Sequence, residues 1–320
     1  MTNNWRAIAK MARDRIVVTD PGDVGLILNL WYIRLSALAR LRLFSQTTAE
    51  CNNLFNALTS ASLSPLYEYI RTHLLPFELL VLKAKTRYWA GDHMGYLDEL
   101  TGLLGWCKSM ARRACAKRDE AAVGMWKERG ARLCLIMASQ LIEMKDYASA
   151  TRLLSSLSKS SPTLHLEAAI MRTHLQSGLF PMAAEHLQKI LSSDPEAPLE
   201  LKVMSEALMK SAEGRWSEVE IMLKEFIEVE KQKDGQDAIN NLAVALLSQG
   251  KLKEATQVLE ETLRQSPSTI VAAEPFLFNL ATLYELRSIT APHKKRELLL
   301  EVAKWGGDGL RTTCLKMPIN

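Results

Sequence analysis

One unit of this chain recurs at near-constant spacing, and that recurrence limits the possible folds more than any other feature. In Asn240–Pro267, NNLAVALLSQGKLKEATQVLEETLRQSP, the residues Leu242, Ala243 and Leu246 fall at helical spacing. Gly250 then breaks the run, Ala255, Leu259 and Thr262 resume it, and Pro267 ends it. Two helices this short cannot bury their apolar faces alone, so the unit has to stack on copies of itself. Three copies precede it. One has Met137, Ala138 and Leu141, then Ala150, Leu154, Leu157 and Pro162. The next turns at Gly178 and continues with Ala183, Leu187, Ile190 and Pro195. The third carries Ala207, Gly214, Val219, Leu223 and Phe226. The turn residues Lys145, Gly178, Gly214 and Gly250 are 33, 36 and 36 positions apart. Ala243 and Ala255 mark where the paired helices cross, and larger side chains there would push the helices apart.

The spacing resembles the tetratricopeptide pattern of about 34 residues. It predicts an all-α, right-handed superhelical solenoid of antiparallel helix pairs, whose inner surface is lined by the first helix of each pair. Such a surface offers an extended contact face and no enclosed pocket. A fifth unit opens with Leu280, Ala281 and Tyr284 and reaches its second helix near Leu298–Val302 after a longer turn, as an atypical capping repeat would. A divergent unit spans 77–104, with Ala84 and Gly91 in register. The first 60 residues read as another pair. Its first helix starts near Asp23 and carries Leu26, Leu30, Ile33, Leu38 and Leu41; its second runs around Cys51–Leu58. Residues 106–130 read as extended helix plus a charged loop. The expected organisation is therefore 1–105 divergent pairs, 106–130 insertion and 131–320 regular array.

Nothing in the composition points to catalysis. Hydrophobic residues make up 48% of the chain, enough for an extensive core, and the net charge is only +4. Residues 1–130 hold 18 Lys/Arg against 12 Asp/Glu, so the first third is mildly basic. The five cysteines form no C-x-x-C pair and are odd in number, which points to buried thiols in a reducing compartment. The N-terminus lacks a signal peptide's apolar core, and Gly25–Ile33 is too short to span a membrane. The six histidines show no metal-ligand spacing, and surface or capping roles are expected for them. Trp305–Gly309, WGGDG, lacks the phosphate-loop pattern and reads as a flexible turn. No enzyme and no cofactor is expected, and no nucleic-acid motif is present. Arg112, Arg113, Lys117 and Arg118 form the densest basic cluster, read as a solvated loop or as a contact for an acidic partner or an anionic membrane. Asn241 and Asn279 occupy a position at which some repeat proteins clamp a C-terminal carboxylate. The preceding unit has Ser205 there, and the basic partners of such a clamp do not line up.

More particular stretches point further. NLWYIRLSALARLRLF (29–44), WKERGARLCLIMASQLIEMKDYASA (126–150), LFNLATLYELRS (277–288) and KKRELLLEVAKWGGDGLRTTCLKM (294–317) resemble the C-terminal repeat domain of the trafficking protein particle (TRAPP) complex subunit 12 family. The resemblance implies a non-catalytic scaffold subunit of a type III TRAPP assembly, which tethers vesicles and promotes nucleotide exchange on a Rab-family GTPase in ER-to-Golgi transport and autophagy. It implies contacts with other TRAPP subunits, above all the large type III-specific ones, an indirect link to the GTPase, and a cytoplasmic location at early Golgi and ER–Golgi membranes. Animal relatives in the family carry a long polar extension before the repeats, and the resemblance covers the repeat part alone. Repeat geometry nominates inner-face contact residues: Arg132, Leu135 and Ser139; Arg172 and Gln176; Asn240 and Val244. The alternative reading is a tetratricopeptide co-chaperone or peptide receptor that holds an extended C-terminal tail.

Overall fold

A computed structural model describes residues 4–60, 65–193, 198–229, 236–286 and 291–317. Every regular element among the described residues is a helix. The chain forms two compact units, Met1–Gln140 with Gly307–Gly309, and Leu141–Gly306 with Leu310–Asn320.

The first unit contains α1 (Trp5–Val18), α2 (Val24–Arg40), α3 (Phe44–Ser60), α4 (Pro65–Tyr69, continued by a π turn over Ile70–Leu74), α5 (Phe77–Trp89), α6 (His93–Ala116) and most of α7 (Glu120–Glu143). The second holds the end of α7, then α8 (Tyr147–Ser160), α9 (Leu164–Gln176), α10 (Phe180–Leu191), α11 (Leu199–Ala212), α12 (Trp216–Val229), α13 (Gln236–Ser248) and α14 (Leu252–Gln265). It closes with α15 (Pro267–Ile270), α16 (Glu274–Leu286), α17 (Ala291–Trp305) and a 3-10 turn over Thr312–Leu315.

A single turn geometry recurs at seven helix junctions among the described residues. Arg42, Gly91, Arg118, Lys145, Gly178, Gly214 and Gly250 all have φ between 57° and 82°. In each case the next residue donates its N–H to the carbonyl five positions back: Leu43 to Leu38, Asp92 to Arg87, Asp119 to Ala114, Asp146 to Leu141, Leu179 to His174, Arg215 to Lys210 and Lys251 to Leu246, at 2.8–3.1 Å. This is the Schellman closure, which satisfies carbonyls left over at the helix end and needs a left-handed residue to do so. The following helix starts at once. Asp92, Asp119 and Asp146 cap it by accepting the N–H of Gly95, Ala122 and Ser149 at 2.8–3.0 Å.

Small residues sit where the register requires them. Ala150, Ala183 and Ala255 are fully buried, and Ala138, Ala207, Val219 and Ala243 nearly so. Leu154, Leu223, Leu242, Leu246, Leu259, Leu280 and Tyr284 fill the core around them. In the last pair the tail closes the core. Cys314 and Leu315 are buried, the Lys295 ammonium donates to Glu285 Oε1 and to the carbonyl of Lys316, and Lys316 Nζ reaches Glu285 Oε2 at 2.9 Å.

The structure differs from the sequence reading at several points. Residues 106–130, read as extended helix plus a charged loop, are helical except for the charged turn Lys117–Asp119. They are the abutting ends of two 24-residue helices, α6 and α7, joined through Lys117–Asp119 by the same closure as the repeats. Arg112 and Arg113 therefore lie on the last turns of a helix, and Lys117 and Arg118 in a tight turn. The helix α1 was not anticipated, and α3 begins seven residues before Cys51. Pro267 does follow the end of the repeat's second helix, since α14 stops at Gln265 with Ser266 as its cap; not anticipated is the short α15 that the proline opens, where its missing N–H costs nothing. Pro195, expected to end a repeat, lies outside the described residues.

Candidate interaction surfaces

Two grooves, one in each unit, are built from exposed helix faces. In the first unit, Tyr32 and Ser36 from α2, Phe77, Val81, Leu82 and Lys85 from α5, and Arg132, Leu133 and Ile136 from α7 line a cleft of about 250 Å³. Each of these helices is the first of its pair, as the repeat reading expects for a contact face. Below the cleft, Phe77, Trp106 and Trp126 pack with ring centroids 4.9–6.3 Å apart. The guanidinium of Arg129 lies 5.0 Å from the Phe77 ring and 4.7 Å from Trp126, and Arg71 lies 4.7 Å from Trp106. This aromatic block holds α5, α6 and α7 together and keeps the cleft wall rigid.

Arg132 stands in that wall and hydrogen-bonds Glu128. Leu135 is 44% exposed and Ser139 is exposed on the same face of α7. The other nominated residues are also accessible: Arg172 and Gln176 on α9 and Val244 on α13 are exposed, whereas Asn240 is half-buried and accepts a hydrogen bond from Asn279 at 2.9 Å. Among the described residues no hydrogen bond or ion pair joins one of these three sets to another. Arg112, Arg113, Lys117 and Arg118 are all exposed, with Cys115 beside them.

The second groove, about 670 Å³, lies along α8. Its wall includes Lys145, Arg152 and Lys159, the hydroxyl residues Thr151, Ser155, Ser156 and Ser177, and His174 and Leu179. The sequence reading missed it, although a signal was present: Lys145, Arg152 and Lys159 recur every seven residues, two helical turns, and so share a face.

The histidines required the largest correction. His174 is buried, not superficial, and it stacks on His186 with ring centroids 5.5 Å apart. Burial and the neighbouring His186 hold its pKa below the usual imidazole value. His186 Nδ1 lies 2.7 Å from Glu167 Oε2, and Ser158 Oγ donates to Glu167 Oε1 at 2.8 Å. This chain of polar groups ties α8, α9 and α10 together. Three of the five cysteines are buried, and burial pushes the Cys51 and Cys107 thiols up to about 11, outside the range of reactive thiolates. Among the described residues no group of His, Cys, Asp and Glu has the arrangement of a metal site, and no helix is long and apolar enough to cross a membrane.

Stretches that departed from generic repeats turn out to be structural: 126–150 supplies Trp126 and Arg129 of the aromatic block and the Lys145 turn, and 294–317 the tail that seals the last pair. Comparison with known proteins bears on these stretches too. No protein-family model matches the chain. The chain is similar to trafficking protein particle complex subunit 12. Against the Homo sapiens protein of that name, identity is 28% over 351 aligned positions, covering 98% of this chain and 47% of that protein. Against the Mus musculus protein it is 29% over 318 positions, covering 91% and 39%. The chain thus spans less than half the length of these relatives. Among solved structures, a tetratricopeptide repeat protein from Parabacteroides merdae covers 98% of this chain and 96% of its own at 13% identity, with a TM-score of 0.49. The assignment to tetratricopeptide-type helix pairs rests on the turn and crossing geometry described above.

Proposed function

We propose that the chain is a non-catalytic scaffold subunit of a type III TRAPP assembly. In this reading it acts at early Golgi and ER–Golgi membranes in ER-to-Golgi transport and autophagy, contacts the large type III-specific subunits, and is linked to a Rab-family GTPase only through them. The reading is carried by one observation: the likeness to TRAPP complex subunit 12 runs through nearly the whole chain, including the irregular stretches that repeat periodicity does not dictate. The cleft of the first unit gives it a surface. Apolar side chains of α2, α5 and α7 form the floor, Arg132, Lys85 and Glu78 the charged rim, and Leu135 and Ser139 extend the face along α7. A partner helix laid there would bury apolar area at the centre and keep the charges at the edge, as specific interfaces do. Arg172, Gln176, Asn240 and Val244 are the corresponding contacts proposed for the second unit, and Arg112, Arg113, Lys117 and Arg118 a peripheral contact to acidic protein or lipid.

A carboxylate clamp finds little support in the geometry. Ser205 is buried, out of reach of a bound tail, and Asn279 gives its amide to Asn240. Affinity purification of the tagged chain from its own cells, followed by mass spectrometry, tests the proposal. Recovery of small TRAPP core subunits together with large type III subunits is the expected result. Recovery of chaperones alone would replace it with the peptide-receptor reading.

A further inference from the structure

From the groove along α8 we infer a second binding site, for an extended acidic segment of a partner protein. Three cations, Lys145, Arg152 and Lys159, stand in its wall against one carboxylate, Asp146. That carboxylate is already engaged in capping α8 through the N–H of Ser149 at 3.0 Å. Neither Lys145 nor Lys159 forms an ion pair among the described residues, and Arg152 donates to Ser149 Oγ at 3.1 Å and lies close enough to Asp146 for their charges to attract. Several cations of the later repeats are paired, Lys210 with Glu206, Arg215 with Glu218, and Lys224 and Lys251 with Glu220. In the groove the three cations outnumber the one carboxylate, which offsets part of the Arg152 charge.

The lining is also built to hydrogen-bond. Thr151, Ser155 and Ser156 lie on the same side of α8 as the cations, and Ser177 faces them from the turn after α9. His174, only 7% exposed, is part of the wall, and its Nδ1 has no hydrogen-bond partner among the described residues. A buried polar atom left so is costly, and a bound polar group within reach removes that cost. Arg152 and Lys159 lie two turns apart on α8, about 10 Å of helical rise, and Lys145 stands in the turn that precedes the helix, so the cations are strung along a length that suits about six extended residues. A line of cations two turns apart suits a strand of spaced carboxylates better than one compact anion. At one end, half-exposed Leu179 offers an apolar contact, so the segment that fits is acidic with an apolar residue at one terminus. The inference does not depend on which assembly the chain belongs to.

Fluorescence anisotropy on the full chain tests it, with a labelled hexaglutamate peptide ending in leucine and its hexaglutamine counterpart as probes. The expected result is saturable binding of the acidic probe only. Reversing Lys145→Glu, Arg152→Glu and Lys159→Glu together should weaken binding by about tenfold or more, given three exposed charge contacts. The gentler Ser155→Asp variant, which keeps every cation, should weaken it as well, and circular dichroism melts verify that both variants fold. Reversing Arg112, Arg113 and Lys117 instead should leave binding unchanged. Equal loss from that control, equal binding of the neutral probe, or binding to phosphatidylserine vesicles without peptide binding would each overturn the site.

Discussion

Glu220 offers a quantitative test of how the second unit is held together. It lies on α12, nearly buried, and its carboxylate accepts from Lys224 Nζ at 2.6 Å, Lys251 Nζ at 2.6 Å and Gln249 Nε2 at 2.8 Å. Gln249 and Lys251 flank the α13–α14 turn, and Gln249 also donates to the carbonyl of Trp216 at 3.2 Å. One carboxylate thus ties one repeat to the turn of the next. The Lys224 and Lys251 ammonium groups hold its pKa down to about 2, against an ordinary 4.5, overriding the opposing effect of burial. That difference sets a ceiling of about 3 kcal/mol at neutral pH. Both lysines stay partly solvated, which brings the expected value nearer 2 kcal/mol. Glu220→Gln keeps the shape and removes the charge. Because the folded pKa is the lower one, the stabilisation is complete above the unfolded value of about 4.5 and is lost as pH falls toward 2. Urea unfolding at pH 7 should show the variant weaker by about 2 kcal/mol. The gap should narrow at pH 3 and close near pH 2, with hydrogen exchange on α12–α14 following the same course. A gap below about 0.5 kcal/mol at pH 7, or one of equal size at both ends of the pH range, would refute the assigned role, since an exposed pair contributes no more than that and an uncharged one does not titrate.

Other substitutions probe the repeat register and the contact face. Ala255→Trp should overpack the α13–α14 crossing and cost about 1–3 kcal/mol or more; an unchanged melting curve would show the register to be wrong. Gly178→Ala should cost about 1 kcal/mol from the left-handed backbone alone, because a Cβ there would meet nothing within 4 Å. Lys145→Gly, in the same turn geometry, should cost nothing or stabilise slightly in the same thermal melt. Leu135→Asp with Arg132→Glu should leave that melt unchanged and reduce co-purification of TRAPP subunits by about tenfold or more, as loss of an interface anchor does.

Glycine made the turns legible. Gly91, Gly178, Gly214 and Gly250 announce a left-handed residue, and the apolar spacing on either side then places the crossings. Arg42 and Arg118 occupy the same backbone state without any such letter, so the tight turn between α6 and α7 read as a charged loop. A non-glycine residue there costs only about 1 kcal/mol, little enough for packing of the flanking helices to outweigh. The helix α1 escaped notice for a related reason: its buried face is made of Ala9 and Ala12, and Lys and Arg surround it. Burial of His174 was hidden because His186, on which its ring stacks, comes beside it only once α9 and α10 pair. Candidate contacts such as Arg132 and Leu135 followed from position within a repeat. The groove along α8 needed the turn after α9 to be brought beside it, although the seven-residue spacing of its cations was visible in the sequence.

The central claim, that this is an interaction subunit of a TRAPP assembly, is tested most directly with purified components. The chain is titrated into a reconstituted type III assembly prepared without it, and the heat of binding is measured. A saturable interaction with a Kd in the micromolar range or tighter, about −8 kcal/mol or more favourable, is what the account predicts for a standard-sized interface. No binding at about ten times that concentration would contradict it.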